Sequence, residues 1–187
     1  MSMGALAFNV PGALRLGFSV LVFQGAWFAC VLSAARGHPL LGTLAVAAAL
    51  ALQVAASDLR KADIVSIGVA VAIGLVSDTL LAQTDVVRYA SSWPQPGLAP
   101  IWILALWALW GAVLREPLRW LHKRPLAAAL LGTVGGPASY AAAARLGACS
   151  FPDITWSLLV LALGWAVITP LQLTLAARLE RGARASR

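Results

Sequence analysis

Charge is scarce in this sequence. Asp, Glu, Lys and Arg make up 11% of its 187 residues, against about 25% in a soluble globular domain. So few charged groups cannot cover a water-facing surface, and the polar stretches between apolar segments are too short for a sizeable soluble domain. Histidine occurs twice, as His38 and His122. That excludes a membrane metalloenzyme of the desaturase or hydroxylase type, whose metal is held by many histidines. The sequence contains no HExxH, no P-loop and no GxSxG. It therefore offers no zinc-protease pair, no phosphate cradle and no nucleophile elbow. Its two cysteines, Cys30 and Cys149, lack CxxC or metal-ligand spacing and read as small apolar residues. No metal and no cofactor is expected.

What the chain has in abundance is hydrocarbon. Apolar residues form 60% of it, and the mean hydropathy is +0.83. Roughly 20 mostly apolar residues cross a ~30 Å hydrocarbon core. Six segments approach that length, over residues 16–33, 40–57, 64–82, 100–114, 126–144 and 154–177. The first, with Arg15 before it and Ser33-Ala34-Ala35 after it, resembles a signal peptide. Apolar segments continue toward the C-terminus, so it reads as an uncleaved span. A closed β-barrel would need an alternation that is absent, and a helix satisfies its own backbone in lipid. The expected fold class is all-α: a polytopic membrane helix bundle of about six transmembrane helices in a single integral membrane domain. The fourth segment is short, and a kinked or interfacial helix is the alternative there.

The net charge of +7 would suggest nucleic acid in a soluble protein. Here the basic residues stand at span ends, which the positive-inside rule explains. Of 14 Lys and Arg residues, only Arg36, Arg88 and Arg145 fall on the side opposite the rest, so both termini are expected in the cytoplasm. Nucleic acid is not an expected partner; membrane lipids are. The stretch REPLRWLHKRP, from Arg115, reads as an interfacial anchor beside anionic headgroups.

Ionisable groups inside a span cost roughly 2.5–3.5 kcal/mol on insertion scales and require a partner or a purpose. Asp78, in GLVSDTL, is the one acidic residue clearly within a segment. Gly74 lies one turn before it on the same face and leaves room for a neighbouring helix or a small ligand. Depth along the spans places His38, Tyr140 and Arg145 in the same outer layer, with Asp85, Arg88 and Asp153 nearby. Asp78, Tyr140, Arg145 and His38 are therefore the catalytic candidates, and Arg145 is the expected partner of Asp78. Gln24, Trp27 and Ser139 are candidates for substrate binding. Asp58 and Asp63 read as helix caps, Gln53 as an interhelical hydrogen bonder, and the tryptophans of the fourth span as belt and packing residues. Within the fifth span, Gly135-Gly136-Pro137 reads first as a kink where helices pack closely, and alternatively as a break that positions a site by tilting Tyr140 and Arg145 outward.

Several fragments taken together carry a resemblance. They are NVPGALRLGFSVLVFQGAWFACVLSAA, GLVSDTLL, PIWILALWALWGAVL and GGPASYAAAARLGA, with Asn9, Gln24, Trp27, Asp78, Pro100, Trp102, Gly136, Pro137, Ser139, Tyr140 and Arg145 as matching positions. They resemble the DUF2878 family of bacterial integral membrane proteins of unknown function. The resemblance implies a multi-pass protein of the bacterial inner membrane. Family members are often encoded beside fatty-acid-modifying enzymes of the cyclopropane-synthase type, which implies a role in, or in support of, lipid or fatty-acid modification. It transfers no catalytic assignment. Two other readings stand beside it: a scaffold for another membrane protein, and a small transporter with a broken fifth helix, which would need a homo-oligomer to enclose a pathway.

Overall fold

The computed structural model describes the backbone of residues 12–186, and the side chains of residue 17 and of residues 19–186. Asn9 lies outside the described residues. Six α-helices follow one another: α1 (Gly12–Ala35), α2 (Pro39–Ala55), α3 (Arg60–Gln83), α4 (Ile101–Val113), α5 (Pro125–Arg145) and α6 (Ile154–Ala185). Two short strands, β1 (Arg88–Tyr89) and β2 (Cys149–Ser150), pair antiparallel, with Arg88 opposite Ser150 and Tyr89 opposite Cys149. This pairing ties the α3–α4 connection to the α5–α6 connection. We call that end of the bundle the hairpin end, and the opposite end, which carries the α4–α5 connection, the basic end.

Local chemistry starts and stops these helices. Pro39 and Pro125 occupy first-turn positions in α2 and α5, where a missing N–H removes nothing the helix could use. Asp153 caps α6, its side chain accepting from the Trp156 N–H at 3.0 Å. Gly147, at φ +86°, takes the left-handed conformation that lets the chain leave α5 and enter β2.

The short α4 is the centre of the bundle. Trp102, Ile103, Ala105, Trp107, Leu109, Gly111, Ala112 and Val113 are buried, and α4 packs on α1, α2 and α3. It is a core helix, not an interfacial one, and its thirteen residues span about 20 Å. Small residues allow the close approaches. A Cβ at Gly74 of α3 would collide with the Trp107 indole, and one at Gly42 of α2 with the α1 backbone at Cys30. Gly132 and Gly136, one turn apart, form a GxxxG face on α5, where added Cβ atoms would meet Thr169 and Trp165 of α6. This is the close packing that small residues permit between apolar helices.

α5 is a single helix from Pro125 to Arg145 with Pro137 inside it, so the expected break is not there. Pro137 still withholds an N–H from the Thr133 carbonyl, but Gly136 is required by Trp165 rather than by a hinge. α6 runs to Ala185, eight residues beyond the apolar segment, because RLERGARA continues as helix after hydropathy falls. The outward faces carry large apolar side chains, among them Leu41, Leu44, Leu52, Leu126 and Leu130. Among the described residues α3, α5 and α6 are long and apolar enough to cross a membrane, while Ser19–Ala35, Pro39–Ala55 and Ile101–Val113 are shorter apolar stretches.

Candidate functional site

Asp78 is completely buried, yet among the described residues no cation touches it. Four neutral donors surround its carboxylate. Oδ1 accepts from the Tyr89 and Tyr140 hydroxyls, each at 2.5 Å. Oδ2 accepts from Trp107 Nε1 at 2.6 Å and from Ser77 Oγ at 3.2 Å. A carboxylate has about four lone-pair positions, and all are occupied. Asp78 of α3 is thereby tied to β1, α4 and α5 at once. Burial first, then the neighbouring Tyr140 and Asp78, hold the Tyr89 phenol well above its usual pKa, so it stays a donor at neutral pH. With these four bonds made, the carboxylate is fully hydrogen-bonded in this arrangement. In this arrangement it is a fastening between four elements.

The outer layer inferred from depth assembles only in part. Tyr140 reaches Asp78; Arg145 and His38 do not. Arg145 is exposed in the last turn of α5, five residues past Tyr140 and on another face, so it is not the partner of Asp78. His38 is exposed at the start of α2 and forms no side-chain cap. Asp85 and Arg88 pair with each other at the surface at 2.5 Å, and the Arg88 hydrogen bond holds the Asp85 carboxyl below its usual range. Sequence reasoning missed Tyr89 and Trp107. The Gly74 space was legible, but which indole would fill it depends on the rotation of α4, and Tyr89 reaches Asp78 only because β1 folds back over α3.

Tyr140 and Trp107 also form part of the wall of a slot between α1 and α5. The slot has a volume of about 450 Å³, within the roughly 300–1,000 Å³ of small-molecule sites. Phe23, Leu106, Trp110, Leu131, Gly135 and Trp165 are among its lining residues. Along α4 it extends from Ile103 to Val113, about 15 Å of helix. Trp107 and Trp165 stack with ring centroids 4.8 Å apart, and Trp110 meets Trp165 edge-on at 5.5 Å. Trp110 Nε1 donates to Gln172 Oε1 at 2.6 Å and Trp102 Nε1 to the Ser91 carbonyl at 3.1 Å. Of the α4 tryptophans, Trp102 and Trp107 are buried and Trp110 partly so, and they serve as packing and hydrogen-bonding residues rather than as a belt; Trp93, Trp120 and Trp156 are the exposed ones. All three substrate-binding candidates line the slot: Gln24 and Trp27 from α1, and Ser139 from α5. Trp27 Nε1 donates to Ser139 Oγ at 3.2 Å, closing the slot toward the hairpin end.

A second polar cluster lies at the basic end. Arg115 is buried and clasps Asp63, Nε to Oδ1 at 2.6 Å and Nη2 to Oδ2 at 3.1 Å, and Nη2 also reaches Ser57 Oγ at 2.9 Å. Arg115 and Asp63 are therefore neither an anchor nor a cap: they are a desolvated pair joining α3 to the end of α4. Asp58 is exposed and Ser57 Oγ accepts the Leu59 N–H instead. Glu180, buried on α6, takes Arg119 at 2.9 Å and Arg184 at 3.0 Å. Gln53 of α2 donates to the Ala112 carbonyl of α4 at 2.9 Å, the interhelical bond expected of it. Among the described residues no group of His, Cys, Asp and Glu is placed to hold a metal ion.

These features define an all-helical protein with at least three membrane-competent helices, a buried carboxylate fastening and an apolar slot beside it. Residues 17–171 match the family model described as Protein of unknown function (DUF2878), and the chain belongs to that family. No curated protein and no solved structure matches it.

Proposed function

We propose that this is a multi-pass protein of the bacterial inner membrane, with all six helices in the bilayer and both termini cytoplasmic, and that it holds a hydrocarbon chain drawn from membrane lipid. The observation that carries this reading is the slot. It is apolar, runs parallel to the helices, and its ~15 Å extent along α4 is half of a ~30 Å hydrocarbon core. α1 and α5 form its two sides, and among the described residues the hydrogen bond from Trp27 to Ser139 bridges them toward the hairpin end. A chain can therefore enter sideways from the surrounding lipid. Holding a chain beside Tyr140 and Trp107 supports a role in lipid or fatty-acid modification, as the chain's presenter more than as its catalyst, since Asp78 is fully engaged.

Gly135 provides the test. It lines the slot and a Cβ there meets nothing within 4 Å, as is also true of Gly68 on α3 outside it. Gly135→Phe fills the slot and Gly68→Phe serves as a control of equal bulk. Lipid extracted from the purified proteins and quantified by mass spectrometry is expected to show about one tightly retained chain per wild-type and Gly68→Phe molecule, and none for Gly135→Phe. Equal retention by all three would remove the proposal.

A further inference from the structure

The two ends of the slot differ in charge. Toward the hairpin end it stops at the Trp27–Ser139 bond and at Tyr140, whose hydroxyl is committed to Asp78. Both polar groups there are engaged and neither carries a charge. Among the described side chains the lining toward the basic end includes Ser19, Val113, Pro117 and Leu118, and the chain runs directly from Leu118 into Arg119, Trp120, His122, Lys123 and Arg124. Of the acidic groups at this end, Asp63 is held by Arg115, Glu116 lies 3.7 Å from Arg115 and Glu180 holds Arg119 and Arg184, while Asp58 is exposed on the α2–α3 connection. Lys123 and Arg124 are exposed where the connection meets α5.

We infer that the occupant is an anionic amphiphile, a hydrocarbon chain of it lying along α4 and its anionic head seated at the α4–α5 connection against Lys123 and Arg124. This rests on the slot being a hydrocarbon site. A free fatty acid and an anionic phospholipid share the required chemistry, a hydrocarbon tail and an anionic head, whereas a zwitterionic head lacks the net charge.

Radiolabelled lysophosphatidate, palmitate and lysophosphatidylcholine of matched chain length, titrated onto the purified full-length protein in detergent, test the inference. The wild type is expected to bind at least one of the two anionic probes about tenfold or more tighter than lysophosphatidylcholine, as attraction to two basic residues provides. Which anionic probe binds tighter identifies the source. With Lys123→Glu and Arg124→Glu combined, the preference is expected to collapse while lysophosphatidylcholine binding persists. Gly135→Phe is expected to remove all three. Equal affinities in the wild type, still lost in Gly135→Phe, would overturn the head assignment and leave the hydrocarbon site standing. A preference that survives the charge reversal would overturn it too. Binding that Gly135→Phe does not weaken would overturn the hydrocarbon site itself.

Discussion

Asp78 shows how a lone acidic residue is kept in an apolar segment without a counter-ion. Two phenols, an indole and a hydroxyl replace the water it loses, and each donor comes from a place that the fold must hold together. Removing an acceptor from such a cluster leaves buried donors unpaired, at about 1–3 kcal/mol for each group. Asp78→Leu is therefore expected to lower the thermal midpoint sharply in detergent, with Asp78→Asn intermediate. Arg145→Ala is expected to stay within about 0.5 kcal/mol of wild type, and the Asp78→Asn, Arg145→Ala double variant to be additive. A double variant milder than Asp78→Asn alone would restore the Asp78–Arg145 pairing. Arg115→Leu is expected to cost about 3–5 kcal/mol, because it strands the buried Asp63 carboxylate; a midpoint change as small as that of Arg145→Ala would show that the clasp does not hold α3 to α4. The cysteines give a chemical check. Burial, with the Asp78 charge adding to it, pushes the Cys149 thiol up to about 12. Its thiolate is therefore scarce at pH 8, and alkylation by iodoacetamide is expected only after unfolding. That Asp78 would be special was legible from its isolation in the sequence. That its partners are neutral was not, because depth along a span says nothing about rotation around it.

At the level of helices, spacing in the sequence and packing in space agree closely. The apolar segments over 16–33, 40–57, 64–82, 100–114 and 126–144 fall within one to four residues of the helix ends. The close packing expected around the α5 glycines is there at Gly136, but the two neighbouring glycines serve different faces. Gly135 and Gly136 are neighbours in sequence but lie 100° apart on the helix, and only Gly136 faces Trp165. Gly135 faces the slot. Gly136→Leu is expected to separate α5 from α6 and to lose folded protein, whereas Gly135→Leu is expected to express and melt like wild type. Size-exclusion profiles and thermal midpoints distinguish the two, and equal damage from both would contradict the assignment of faces. The basic segment after α4 was misread for a similar reason. Its charges were counted as one anchor, but Arg115 turns inward to Asp63 while Lys123 and Arg124 remain at the surface.

For the molecule as a whole, a short central α4 surrounded by longer helices leaves one side, between α1 and α5, incompletely closed among the described residues, and in the proposed placement in the bilayer that side faces lipid. The count and order of the helices follow from hydropathy, and the charge asymmetry gives a definite orientation to test. A cysteine placed at Ser186 or Lys123 is expected to resist a membrane-impermeant maleimide in intact cells, and one placed at Arg36 or Ser91 to react; the opposite pattern would invert the topology. The slot itself was not legible, because it arises where helices distant in sequence fail to meet. Its occupancy can be read directly with a membrane phospholipid or fatty acid that carries a photoactivatable group on its chain, followed by peptide mapping of the adducts. Adducts concentrated on the slot residues Leu106, Leu131 and Gly135, and suppressed by excess unlabelled lipid, are the predicted result. Adducts spread evenly over the exposed leucines of α2 and α5, with no suppressible excess in the slot, would contradict it.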